Sequence, residues 1–222
     1  MIILENLSKV FHFRGGQKCI ADQINAVFPS RRSVALLGRN GAGKTSLLKI
    51  ISGTMDPTEG RVISHGPVSW PVGFAGSFHG DLTGAQNARF VARIYGVDTD
   101  DLIEFVEDFA ELGAHFHQPF RTYSAGMKSR LAFGVSMGVP FETYLVDEVT
   151  SVGDAAFREK SAAVFAERMK TAGAIMVSHG IGQLRALCDA GAVLEKGKLY
   201  YYDDLEEAIA HHQSNMASLV LA

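Results

Sequence analysis

The sequence predicts an α/β fold in which a core of buried strands is interrupted by a helical insertion. Three observations carry that prediction. Short apolar runs without polar alternation, typical of buried strands, occur toward both ends of the chain. A glycine-rich turn, GRNGAGKT, joins one such run to a helical pattern. From Gly84 to about Val139 the apolar periodicity is that of helices.

Taken in chain order, MIIL reads as a first strand, SVALLG before Arg39 as another, and TSLLKIIS as the helix after the glycine-rich turn. The stretch from Ser69 to Gly84, SWPVGFAGSFHGDLTG, combines Trp70, Pro71 and two phenylalanines with four glycines. It reads as a working loop whose backbone bends or lets a partner come close. Inside the helical region DLIEFVEDFAEL puts Leu102, Phe105, Val106 and Phe109 on one face. TYLVD before Glu148, AIMVS before His179 and AVLEKGKLYY return to strand patterns. Asp203 to His212 reads as a polar terminal helix, and the apolar end SLVLA either docks on the core or frays.

A chain of 222 residues supports one sizeable core, or two small domains. Its 47% hydrophobic and 20% charged residues are ordinary for a globular protein. A net charge of −3, with no Lys/Arg run, argues against a nucleic-acid partner held by phosphate neutralisation. Cys19 and Cys188 match no metal spacing and read as reduced thiols. No apolar run approaches the length of a bilayer span, and MIILENLSKV lacks the layout of a signal peptide. The chain is therefore expected in the cytoplasm, with any membrane role exercised through a partner. His115-x-His117 has no third ligand at a typical spacing, and the adjacent His211 and His212 point about 100° apart on a helix. Both pairs read as surface polar residues.

GRNGAGKT, from Gly38 to Thr45, satisfies G-x-x-x-x-G-K-[ST] and lies between a strand and a helix, as that loop requires. Gly38, Gly41 and Gly43 let backbone N–H groups turn inward around a phosphate, and the helix N-terminus adds partial positive charge. Asn40, Ala42 and Ser46 complete the expected nucleotide contacts. Lys44 is expected to reach the β- and γ-phosphates, and the Thr45 hydroxyl to ligate Mg²⁺. This is a nucleoside triphosphate site. Asp147 ends the run TYLVD and Glu148 follows it, where adjacent side chains diverge. Asp147 suits the outer shell of Mg²⁺, and Glu148 suits a general base for an attacking water.

With these motifs the chain resembles, over nearly its whole length, the ATP-binding cassette ATPases that drive ABC transporters. YSAGM (Tyr123 to Met127) is similar to the family signature LSGGQ, SVGD (Ser151 to Asp154) to its D-loop, and VSHG carries its switch histidine, His179. In LSKVF, Phe11 stands where the family stacks a ring on adenine, with Phe13 the nearby alternative. The resemblance implies a P-loop ATPase core with an antiparallel β portion and an inserted α-helical subdomain. Residues 1–222 would form one domain, with 1–83 and 140–222 as nucleotide-binding core and 84–139 as helical signature subdomain. It also implies ATP with Mg²⁺ and a homodimer with two ATP molecules sandwiched between subunits. Ser124, Gly126 and Asp154 would then serve nucleotide across the dimer, with Ser124 also capping its helix. Ala125, Met127 and Val149 depart from the family's Gly, Gln and Pro. None of these removes a group that must touch Mg²⁺ or water, so active hydrolysis is expected.

SVGD, the SWPVGF…GDLTG stretch and RFVARIYG (Arg89 to Gly96) look like the ATPases that export bacterial capsular polysaccharide. O-antigen and teichoic acid exporters share the D-loop flavour, but some carry an added carbohydrate-binding domain, and the shorter chain favours capsule. The implied function is export of a lipid-linked polysaccharide across the bacterial inner membrane, with this subunit peripheral on its cytoplasmic face. The implied partner is an integral membrane permease contacted through Ser69–Gly84, where the phenylalanines would pack. That stretch contains no Gln or Asn, although the family's Q-loop falls there. His79 is the nearest polar substitute and reads as a solvated loop residue, and Gln86 reads as facing out of the next helix. A soluble cassette ATPase working on nucleic acid or ribosomes would be expected to show a second cassette or basic inserts. A small-molecule kinase or GTPase would leave YSAGM and VSHG unexplained.

Overall fold

The computed structural model describes residues 1–73, 76, 78–147, 154–178 and 180–220, the last three by backbone alone. Its strands are β1 (Ile2–Phe13), β2 (Gly16–Phe28), β3 (Ser33–Leu37), β4 (Glu59–Ser64), β5 (Val68–Pro71), β6 (Thr143–Asp147), β7 (Gly173–Val177), β8 (Ala190–Glu195) and β9 (Lys198–Tyr202). Its helices are α1 (Lys44–Ile51), α2 (Gly84–Tyr95), α3 (Thr99–Ala110), α4 (Ala125–Gly138), α5 (Ala155–Met169), α6 (Ile181–Leu187) and α7 (Leu205–Val220). They form two compact units. One comprises Met1–Pro71, Phe141–Glu148 and Thr171–Ala222, the other Val72–Pro140 and Val149–Lys170.

The first unit holds two sheets, an antiparallel one in the order β2-β1-β4 and a six-stranded one in the order β5-β6-β7-β3-β8-β9. In the larger sheet β6, β7, β3 and β8 run parallel, and their buried runs are those that read as strands in the sequence. β2 escapes a simple reading because it buries only scattered positions, Ile20, Ala21, Ile24 and Phe28, while its polar residues face out. AVLEKGKLYY is two strands and not one. Lys196 (φ 47°) and Gly197 (φ 81°) turn β8 back onto antiparallel β9. Side chains of both sheets and of α1 share one apolar cluster that includes Leu4, Phe28, Leu36, Leu48, Leu145 and Leu194.

In the helical unit each of α2 to α5 begins with a side-chain cap. Thr83 and Gln86 form a capping box at α2, and Asp98, Ser124 and Asp154 cap α3, α4 and α5. The core is aromatic. The Phe109 ring lies 5.9 Å from Phe105, 5.7 Å from Phe133 and 5.1 Å from Phe157. Phe157 belongs to α5, so this unit reaches beyond the helical stretch expected at 84–139 and takes in the helix after the acidic pair.

Several local expectations change. Ser69 to Pro71 is an edge strand and not a loop: the Leu145 N–H donates to the buried Ser69 Oγ (2.8 Å), and Trp70 meets Phe141 edge-on. Phe78 packs edge-on against Phe120 at 5.4 Å, so its ring is already partnered within the chain, while Phe74 lies outside the described residues. His79 is exposed, as read. Gln86 is exposed but also turns back, accepting the Thr83 N–H at 2.9 Å. The terminal helix α7 is longer than Asp203–His212, and its histidines are half-buried and not simply surface polar groups. His211 Nδ1 pairs with the Tyr202 hydroxyl at 2.8 Å, and its ring meets Tyr200. Among the described residues no helix is long and apolar enough to cross a membrane.

Candidate nucleotide site

The chain leaves β3 at Leu37 and enters a loop that only glycine can build at two points. A Cβ on Gly38 would lie 2.5 Å from the Leu194 carbonyl oxygen on β8. Gly43 has φ 108° and stands at the N-cap of α1, where a Cβ would lie 2.7 Å from that of Ile20. Between them the Ala42 N–H donates to the Arg39 carbonyl at 3.0 Å, closing the turn. No side chain caps α1, which leaves its first N–H groups available to a ligand.

Lys44 folds across the loop it belongs to. Its ammonium donates to the Gly38 carbonyl at 2.6 Å and to that of Arg39 at 3.0 Å. Those carbonyls hold the charge at the loop mouth. A pocket of about 460 Å³ opens there, and its lining brings together Asn40, Gly41, Gly43, Lys44, Thr45 and Ser46. From the sheets it gains Phe11, Ile20, Val177 and Lys18. The pocket contains Phe11 and not the alternative Phe13, which is 60% exposed and lies over Gly16. Asp147 ends β6 in register with Val177, one strand away from the pocket wall. Glu148 and His179 lie outside the described residues. On α7, the pKa of His212 is lowered first by burial and then by the Lys44 ammonium.

A model of the family described as ABC transporter matches residues 21–151, more than half of the chain and all of the phosphate loop. The chain belongs to the ABC transporter family. This ABC transporter chain is 46% identical to the polysialic acid transport ATP-binding protein KpsT of Escherichia coli, with 96% of each chain covered. It is 41% identical to the capsule polysaccharide export ATP-binding protein CtrD of Neisseria meningitidis serogroup B, covering 96% of this chain and 99% of that one. Its fold matches a dimeric ATP-binding cassette solved in a post-hydrolysis state bound to ADP and Pi, with a TM-score of 0.76. That match has 19% identity and covers 92% and 99% of the two chains.

The other predicted residues of this ABC transporter chain sit in the helical unit. Ser124 Oγ accepts the Met127 N–H at 3.2 Å, capping α4 ahead of Gly126. Met127 returns no bond, so the cap is single where α2 has a reciprocal pair. Tyr123 fixes this start from below: its buried hydroxyl donates to the Phe116 carbonyl and accepts the Gly84 N–H, and burial raises its pKa. Asp154 caps α5 through the Phe157 N–H at 2.9 Å and takes a bond from Arg130 of α4 at 2.8 Å.

Sequence reasoning missed Lys18, Arg130 and Asn87. The amide of Asn87 is 2% exposed and binds the backbone of His79, Leu82 and Thr83, which shapes the loop before α2. An amide four residues after a capping Thr was the available signal. Lys18 offered none, because its place in the pocket depends on strand register. Of the two thiols, Cys188 is buried and its pKa is pushed up to about 12, chiefly by burial, while Cys19 is exposed.

Proposed function

We propose that this chain is the ATP-hydrolysing motor of an ABC transporter that exports a capsular polysaccharide, as a lipid-linked chain, across the bacterial inner membrane. The observation that carries the reading is the pocket in which Phe11 and the phosphate loop meet, in a chain whose relatives include ATP-binding proteins of polysialic acid transport and capsule polysaccharide export. Residues 1–222 act as a single ATPase domain on the cytoplasmic face. A second copy completes each site, and a membrane permease takes up the motion through the stretch from Ser69 to Gly84.

In this reading the adenine stacks on Phe11, and the phosphates lie on the N–H groups of Asn40 to Ser46. Lys44 exchanges its two carbonyl acceptors for phosphate oxygens. The exposed Thr45 hydroxyl and the Asp147 carboxylate form an all-oxygen donor set, which suits a hard cation. When bound there, Mg²⁺ neutralises charge on the phosphates. Glu148 orients or deprotonates the attacking water, and His179 holds it against the γ-phosphate. Ser124 and Gly126 offer the start of α4 to nucleotide held by the partner copy, and Asp154 anchors the D-loop.

Lys44→Ala tests this. ATP binding by the purified chain should be lost, together with surface polysaccharide in a capsule-producing strain that carries only this variant. Near-parental ATP binding and turnover would refute the assignment.

A further inference from the structure

Lys18 lies directly opposite Phe11 in the β1–β2 ladder, so both side chains leave the same face of the antiparallel sheet. Its stem reaches the phosphate loop: a Cβ on Gly41 would sit 3.5 Å from the Lys18 ammonium. Lys18 lines the same pocket as Lys44, Thr45 and Phe11, and among the described residues that line it there is no carboxylate.

Two other lysines of the unit are engaged. Lys9 donates to the Asp56 carbonyl, and Lys198 pairs with Asp22 at 2.7 Å. Among the described residues Lys18 has neither a carboxylate within salt-bridge distance nor a carbonyl as acceptor. An ammonium beside the phosphate loop, with no counter-ion among the described residues, is arranged for an anion. Its neighbour Ile20 gives the site apolar wall, so the charge on β2 is confined to the loop end.

We propose that Lys18 is a second phosphate-binding cation of the site, contacting the phosphate chain of bound nucleotide from the antiparallel sheet while Lys44 contacts it from α1. The inference rests on the reading of the pocket as a nucleoside triphosphate site. Two strands then divide the ligand: Phe11 on β1 takes the base, and Lys18 on β2 takes charge. Since the contact is electrostatic, it discriminates by phosphate number and weakens with salt.

The test is equilibrium binding of ATP, ADP and adenosine to the full chain and to Lys18→Met and Lys18→Arg, at low and high salt. Lys18→Met should weaken ATP about tenfold at low salt, as expected for one lost charge-assisted contact. It should weaken ADP less, leave adenosine unchanged and flatten the salt dependence. Lys18→Arg should restore most of the ATP affinity, which separates charge from side-chain packing. Thermal midpoints of both variants check that β2 still folds. Parental ATP affinity in Lys18→Met would overturn the proposal, as would equal losses for ATP and adenosine. If the parent chain binds none of the three, the reading of the pocket itself falls. If the parent binds ATP and Lys18→Met binds it equally well, this inference falls alone.

Discussion

Around the phosphate loop, candidate residues are held by backbone. Gly38 and Gly43 occupy positions closed to any side chain, α1 starts without a side-chain cap, and Lys44 rests on two carbonyls of its own loop. In the helical unit the opposite arrangement holds. Ser124 and Asp154 are themselves caps, and Arg130 reaches from α4 to Asp154 with its guanidinium 4.5 Å over the Phe157 ring. Lys160 ties Glu111 (2.7 Å) and the Asp108 carbonyl to α5. A loop that must surround phosphates is best fixed by chain geometry, which leaves its N–H groups unused. Helix ends that present a few atoms can be fixed by side chains, because adjusting a side chain there leaves the backbone path intact.

The largest effect expected from this contrast is in the aromatic core. Phe109→Ala removes a ring that is 2% exposed and meets three others. It should cost about 3–5 kcal/mol in urea unfolding. ATP affinity measured well below the unfolding transition should stay at the parental value, because the loop relies on its own backbone. A large loss of ATP affinity in the folded variant would break the contrast. Gly43→Ala is the converse. Backbone strain at φ 108° costs about 1–3 kcal/mol, and the new methyl meets Ile20. Stability should fall less than with Phe109→Ala, yet nucleotide binding should disappear.

The same contrast explains what was legible. The phosphate loop could be read because its chemistry lies in consecutive residues, and the parallel strands because they are apolar throughout. The signature start could be read as a cap at Ser124, since the bond spans only three residues. Lys18 and Arg130 act at a distance in sequence, the first through a cross-strand register and the second through packing of α4 on α5. β2, and the division of AVLEKGKLYY into β8 and β9, were hidden for a related reason. The half-polar faces of β2 and β9 acquire meaning only once β1 and β8 lie beside them. The helical unit gained α5 because Phe157 completes a cluster whose other members lie much earlier in the chain.

The smallest expected effect concerns pH. The Phe157 N–H bond, followed by the Arg130 charge, holds the Asp154 carboxyl below its ordinary range. Lys160 does the same for Glu111, first by its hydrogen bond and then by its charge. A carboxyl whose folded pKa lies below its unfolded one contributes stability that is complete above the unfolded value. That contribution is lost as pH falls through the folded value. The helical unit should therefore lose protection in acid, from about pH 4 downward. Asp154→Asn keeps an oxygen for the Phe157 N–H but removes the charge that Arg130 meets. Near neutral pH it should lower the thermal midpoint slightly, and it should flatten the acid limb of midpoint against pH. Arg130→Met should flatten that limb less, because the backbone bond to Asp154, the larger cause of its shift, remains. An acid limb in Asp154→Asn as steep as in the parent would show that the α4–α5 network contributes nothing through charge. The caps alone would then hold the helical unit, much as backbone holds the phosphate loop.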